Sequence, residues 1–153
     1  VLTWSAGPQG PLPAFAAREA MSAAVRGHDV VVVDLPRSAD PVTDELAARC
    51  RHLVVVARST IPGYASAARL VSRLSASGPV VAVVRGPAVD ERDASTVLGV
   101  PVVTTMGDQR GLDEAIDLGL GPLRSRRSTL GRAAARVLAT LHERGAVAGG
   151  TAA

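Results

Sequence analysis

The residues best placed to do chemistry lie in the stretch His28-Asp29-Val30-Val31-Val32-Val33-Asp34-Leu35-Pro36-Arg37. Four consecutive valines predict a buried parallel strand, because β-branched side chains pack well where both faces of a sheet are covered. Asp34 then emerges at the strand's carboxyl end, and Pro36 stops the ladder because it has no N–H to donate. Ligands of open α/β sheets sit outside the carboxyl ends of the strands, so a carboxylate there suits metal or phosphate chemistry. Asp34 therefore has two readings: it holds Mg²⁺ through water, or it caps the loop that follows. A phosphate would also need a neutralising partner. The chain has no lysine; all 17 of its basic residues are arginines.

Asp40 and Asp44 could extend a metal site, but Asp40-Pro41 reads more simply as an N-cap followed by proline at the first helical position. Asp44 is then a first-turn carboxylate, favoured by the helix dipole. Arg37 either meets a phosphate or a partner carboxylate, or is a solvated surface residue. Ser59 and Thr60 lack the G-x-S-x-G elbow of a serine nucleophile and read as loop and capping residues. His28, His52 and His142 have no mutual metal-ligand spacing, so no chemistry is assigned to them. With one cysteine, Cys50, there is no internal disulfide and no C-x-x-C pair, and cytoplasm is the expected compartment.

A chain of 153 residues, 47% hydrophobic, can bury a core. With one Trp, one Tyr and one Phe, that core must be built from valine, leucine and alanine. Periodicity predicts a short strand at 1–4, a turn at 7–11 and a helix over 12–26. The Val30–Val33 strand follows, then a helix over 41–50 and a strand over 53–57. Beyond these come a helix over 64–74, a strand over 80–84, a helix over 90–98 and a strand over 100–105. A helix over 111–118 and a last helix over 130–144 complete the pattern. Residues 1–144 read as one domain with no internal boundary, and 145–153 as a disordered tail. Alternating strands and helices predict an α/β fold, a three-layer parallel sheet with helices on both faces. No apolar run approaches the ~20 residues that span a bilayer. The start, Val-Leu-Thr-Trp, has no basic n-region and reads as a chain entered part-way.

Charge is uneven. Up to Gly121 there are 11 arginines against 13 acidic residues; from Pro122 on there are 6 arginines against one. The last helix carries an apolar stripe (Leu130, Ala134, Val137, Leu138, Leu141) with Arg132 and Arg136 off it, and Arg124, Arg126 and Arg127 precede it. Such a helix either packs its stripe on the sheet or lies in a membrane interface on anionic lipid. Phosphate contacts to nucleic acid would use the same arginines, but no aromatic stacking platform accompanies them, and nucleic acid is not an expected partner.

The order of these pieces resembles the C-terminal half of the MinD/ParA family of deviant-Walker ATPases, in particular its actinobacterial septum site-determining and CpaE-like pilus-assembly branch. The resemblance is carried by His28-Asp29, Val30–Val33, Asp34-Leu35-Pro36, the strand 53–57, the helix 64–74, Leu98-Gly-Val-Pro-Val102, and Glu114-Ala115 with Gly119 and Pro122. It implies a P-loop NTPase-like sheet in which Asp34 and Pro36 are a vestigial Walker B and Arg37 lies in the switch region.

Three departures accompany the resemblance. No glycine-rich phosphate loop with its lysine is present. Val84 stands where the family's base-reading Asn would be, and Met106-Gly107-Asp108 replaces the proline loop that borders adenine. The sheet also lacks the phosphate-loop strand, so the chain is either a fragment of a longer protein or a truncated form in which Val30–Val33 pairs directly with the strand over 53–57; alternatively a partner chain supplies the missing member. The resemblance therefore implies a nucleotide-deficient regulatory protein in septum placement, cell division or Tad-type pilus assembly, acting through protein partners. A homodimer and a peripheral inner-membrane contact through Arg124, Arg126, Arg127, Arg132 and Arg136 fit the same reading. The alternative is the C-terminal fragment of an active ATPase, with ATP and Mg²⁺, whose phosphate loop lies upstream. An unrelated flavodoxin- or Rossmann-like binding module is a third reading, against which stands the absence of a G-x-G-x-x-G after a strand.

Overall fold

The computed structural model describes residues 13–122 and 125–149, with side chains to 145. The chain divides into two compact units, Val1–Arg49 and Cys50–Ala153. The expected strand at 1–4 and turn at 7–11 lie outside the described residues.

The first unit contains helices α1 (Ala14–Gly27) and α2 (Pro41–Ala48). Asp40 caps α2 as its sequence suggests, accepting the Thr43 amide at 2.9 Å, with Pro41 in the first turn. Hydrogen bonds from Thr43 and Ser38 stabilise the ionised carboxyl of Asp40 and hold its pKa below the ordinary value. Arg18 of α1 reaches Glu45 of α2 at 3.1 Å, and Ala17 and Ala47 are buried.

The expected strand Val30–Val33 does not form. The segment is non-repetitive backbone that joins no ladder, and Val30 and Val32 are 58% and 87% exposed. A strand needs a neighbour to take its N–H and C=O groups, and valine's β propensity reflects packing on a pleated surface. With neither supplied, four valines do not make a strand.

The second unit is an α/β body built on a three-stranded parallel sheet, in the order β1 (Leu53–Arg58), β2 (Val80–Arg85), β3 (Val102–Met106). The crossovers are α3 (Ile61–Leu74) and α4 (Glu91–Leu98); α5 (Leu112–Asp117) and α6 (Thr129–Gly149) follow. Pro62 lies in the first turn of α3 behind the Thr60 cap, and this is why the helix starts earlier than position 64. Asp90 caps α4, accepting from the amides of Arg92 and Asp93.

β2 is the central strand and is buried from Val80 to Val84, as its unbroken apolar run requires. β1 alternates: Leu53, Val55 and Ala57 face inward, while Val54 and Val56 remain 40% and 43% exposed. Register puts Val54 beside Val81 and Val56 beside Val83. Val81 and Val83, with Val103, pack against Val137 and Leu141 of α6. Val54 and Val56 therefore lie on the α6 face of the sheet, and α3 lies on the other. Among the described residues, no strand pairs with the outer edge of β1.

The stripe on α6 is thus sheet-packed at Val137 and Leu141, while Leu138 is 51% exposed. The helix runs to Gly149 rather than stopping at Arg144; 145–149 contains no proline to end it. Residues 150–153 of the expected tail lie outside the described residues. Among the described residues no helix is long and apolar enough to cross a membrane.

Candidate functional site

The carboxyl ends of the three strands form the position where open α/β sheets bind ligands. Register sets Arg58 beside Arg85 and Arg85 beside Met106. Two bonds carry the ladder past the strand ends: Ser59 donates its amide to Arg85 O and Gly86 donates to Met106 O, both at 2.9 Å. The chain then turns sharply. Thr60 Oγ1 accepts the Gly63 amide at 3.2 Å, and Gly63 packs so closely on Arg58 O that no Cβ fits. Gly86 has φ +133°, and a Cβ there would overlap Ser59 Oγ.

Arg85 points across the sheet end and binds Asp108, Nε to Oδ1, at 2.7 Å. Beside it is a cavity of about 50 Å³ lined by Arg85, Met106, Gly107, Gln109, Leu112 and Leu130. That is room for a water or two at ~30 Å³ each, against the ~300 Å³ or more of ordinary ligand pockets. Two buried polar atoms at this end have no partner, Ser59 Oγ and Gln109 Oε1. An orphaned buried group costs about 1–3 kcal/mol.

Val84, in the place of the expected base reader, is 1% exposed and registers between Ala57 and Thr105. It is a core residue. Met106 is half-buried, and Asp108 serves Arg85. The arrangement can hold a small polar species or offer Arg58 and Arg110 to an acidic surface.

Asp34, Pro36 and Arg37 belong to the first unit, all exposed and in non-repetitive backbone. No three His, Cys, Asp or Glu side chains among the described residues are grouped to hold a metal. Asp44 is exposed in the first turn of α2, and Thr60 caps α3.

Of the C-terminal arginines, Arg124 lies outside the described residues, and Arg126 and Arg127 are exposed. Arg132 donates to Arg127 O at 3.0 Å. Arg136 is structural: its Nε donates to Val103 O at 2.8 Å and its Nη2 reaches Glu91 at 3.3 Å, joining α6 to β3 and α4.

A second polar cluster lies at the start of β1, where sequence spacing gave no signal. His52 has both ring nitrogens covered without a partner. Its pKa lies below the ordinary imidazole value because burial disfavours the cation, and the charges of Arg51 and Arg144 add to this. Burial also pushes the neighbouring Cys50 thiol up, which keeps it protonated and inert at neutral pH. The Arg85–Asp108 pair, and the nearness of Arg144 to His52, involve residues too far apart in sequence for any local motif to reveal them.

No protein-family profile matches the chain, and no solved structure matches it. Two curated relatives do: uncharacterized protein Rv3660c of Mycobacterium tuberculosis (strain ATCC 25618 / H37Rv) and uncharacterized protein MT3760 of strain CDC 1551 / Oshkosh. Each is 36% identical over 132 residues, covering 84% of this chain. The chain spans 37% of the length of these relatives, so the likeness reaches one part of a longer mycobacterial protein.

Proposed function

We propose that these residues form a MinD/ParA-like regulatory module that works in septum placement or pilus assembly by docking protein partners, without turning over ATP. The observation that carries this reading is Val84. A buried valine fills the position from which the family's Asn reads the base, and Arg85 next to it is committed to Asp108. The small cavity at the sheet end and the absence of lysine from the sequence support it. The bare valines of β1, Val54 and Val56, offer apolar surface to a partner. In this reading the protein acts in the cytoplasm, reaching the inner membrane peripherally through Arg126, Arg127 and Arg132.

The test has two arms. The chain is titrated with Mg-ATP and assayed for phosphate release, and in cells it is screened by two-hybrid against division and pilus-assembly proteins. Docking without turnover is expected, together with displaced septa or altered piliation on overexpression. Micromolar, Mg²⁺-dependent ATP affinity with turnover would sink the proposal.

The length of the relatives favours a second reading. Here the residues are the C-terminal portion of a Mg-dependent ATPase whose phosphate loop lies upstream, with Asp34 as the metal carboxylate. ATP turnover by the longer protein, lost on Asp34→Asn, would decide for it.

A further inference from the structure

The end of the sheet opposite the carboxyl-end site holds a group of basic side chains that the proposed docking role leaves unused. Arg51 and His52 lead into β1, and Arg144 is on α6. α6 brings its carboxyl-terminal part to this spot: a methyl placed on Gly145 would lie 3.7 Å from Arg51 Nη1. The guanidiniums of Arg51 and Arg144 both act on the His52 imidazole, so the three groups share one neighbourhood.

Arg51 and Arg144 lie without counter-charge among the described residues. Arg18, Arg49, Arg85 and Arg136 each have a carboxylate within 3.4 Å. Both Arg51 and Arg144 are exposed. His52 adds an independent sign. Its two ring nitrogens are covered yet unpartnered, a state that native proteins tolerate rarely. Two guanidiniums in the neighbourhood of an imidazole offer donors in several directions to one acceptor-rich centre. A tetrahedral oxyanion supplies such acceptors, and its charge reverses the repulsion the cations exert on one another.

We infer that Arg51, His52 and Arg144 form an oxyanion site for a phosphate group, borne either by a soluble ligand or by a phospholipid headgroup. The bound anion spans the start of β1 and the end of α6, and so fastens the last turns of that helix to the sheet. His52 gains the partner it lacks and becomes easier to protonate.

The test follows the His52 side-chain resonances by NMR through a pH titration, in inorganic phosphate and in chloride at matched ionic strength. Phosphate is expected to raise the His52 pKa saturably. Arg51→Gln with Arg144→Gln should weaken phosphate by about tenfold or more while the circular dichroism spectrum and Tm are retained, since both side chains are exposed. Flotation with phosphatidylcholine vesicles, with and without phosphatidylglycerol, identifies the source. Capture that free phosphate displaces assigns the headgroup, and no capture assigns a soluble phosphate. The inference is overturned if His52 responds alike to phosphate and chloride, or if the phosphate response survives the double substitution.

Discussion

Replacing Gly86 by alanine should expose the strain held at the carboxyl end of the sheet, and Ser59→Ala should partly relieve it. Gly86 sits at φ +133°, a region L-residues rarely enter, and such backbone costs on the order of 1–3 kcal/mol. The new methyl would also overlap the Ser59 hydroxyl, forcing it to rotate out of its buried place at a further cost of about 1 kcal/mol. Gly86→Ala is therefore expected to destabilise by about 2–4 kcal/mol. Ser59→Ala removes a buried hydroxyl that has no partner, so its effect should be neutral or stabilising by up to about 1 kcal/mol. In the double variant the overlap disappears and the backbone strain remains. Gly86→Ala should then cost about 1 kcal/mol less than in the parent.

Urea unfolding followed by circular dichroism measures all four proteins. At a slope of about 2 kcal/mol per M, each kcal/mol moves the midpoint by about 0.5 M. Two results refute the reasoning. Destabilisation by Ser59→Ala of more than about 1 kcal/mol would mean that the hydroxyl has a partner. Equal costs of Gly86→Ala in both backgrounds would mean that the overlap is not felt.

Val84→Asn should cost about 2–3 kcal/mol by burying an amide in the core, and should confer no ATP affinity in a titration with Mg-ATP. Asp90→Ala removes the cap of α4 and should lower stability by about 1 kcal/mol, read as a fall in Tm. His52 has a folded pKa below its unfolded value, so the unfolded chain binds its proton first. Its contribution is intact above the ordinary imidazole range and is lost as pH falls through that range toward the folded pKa. Stability measured across mildly acidic pH in low-phosphate buffer should therefore decline less steeply in His52→Gln than in the parent. Cys50 should react slowly with iodoacetamide at neutral pH until urea unfolds the chain, because burial holds its thiol protonated.

The parts of the fold that the sequence declares are those whose signals are local. Asp40-Pro41, Thr60-Ile-Pro62 and Asp90 mark helix starts through side-chain oxygens and proline, and the structure caps the helices there. The apolar runs at 53–57 and 80–84 form strands because each finds a parallel neighbour. Val30–Val33 has the same composition and fails for want of one, a condition no window of sequence contains. The stripe of α6 was legible as apolar but not as to what it covers; Val81, Val83 and Val103 decide that from three-dimensional packing. At the candidate sites, Arg85 with Asp108, and His52 with Arg144, are joined only by the closing of the sheet.

The outer edge of β1 has a practical meaning for anyone who handles these residues by themselves. Its row of backbone donors and acceptors, with Val54 and Val56 alongside, is a template onto which another β-forming segment can add. The tetravaline run at Val30–Val33 is such a segment, uncharged and free of proline, and every molecule in solution carries one. Concentrated preparations should therefore convert slowly to β-rich fibrils, from Val30–Val33 of one molecule growing on β1 of the next. A single charge at an exposed position, such as Val32→Glu or Val54→Arg, should act as a gatekeeper that suppresses the conversion at little cost in folding.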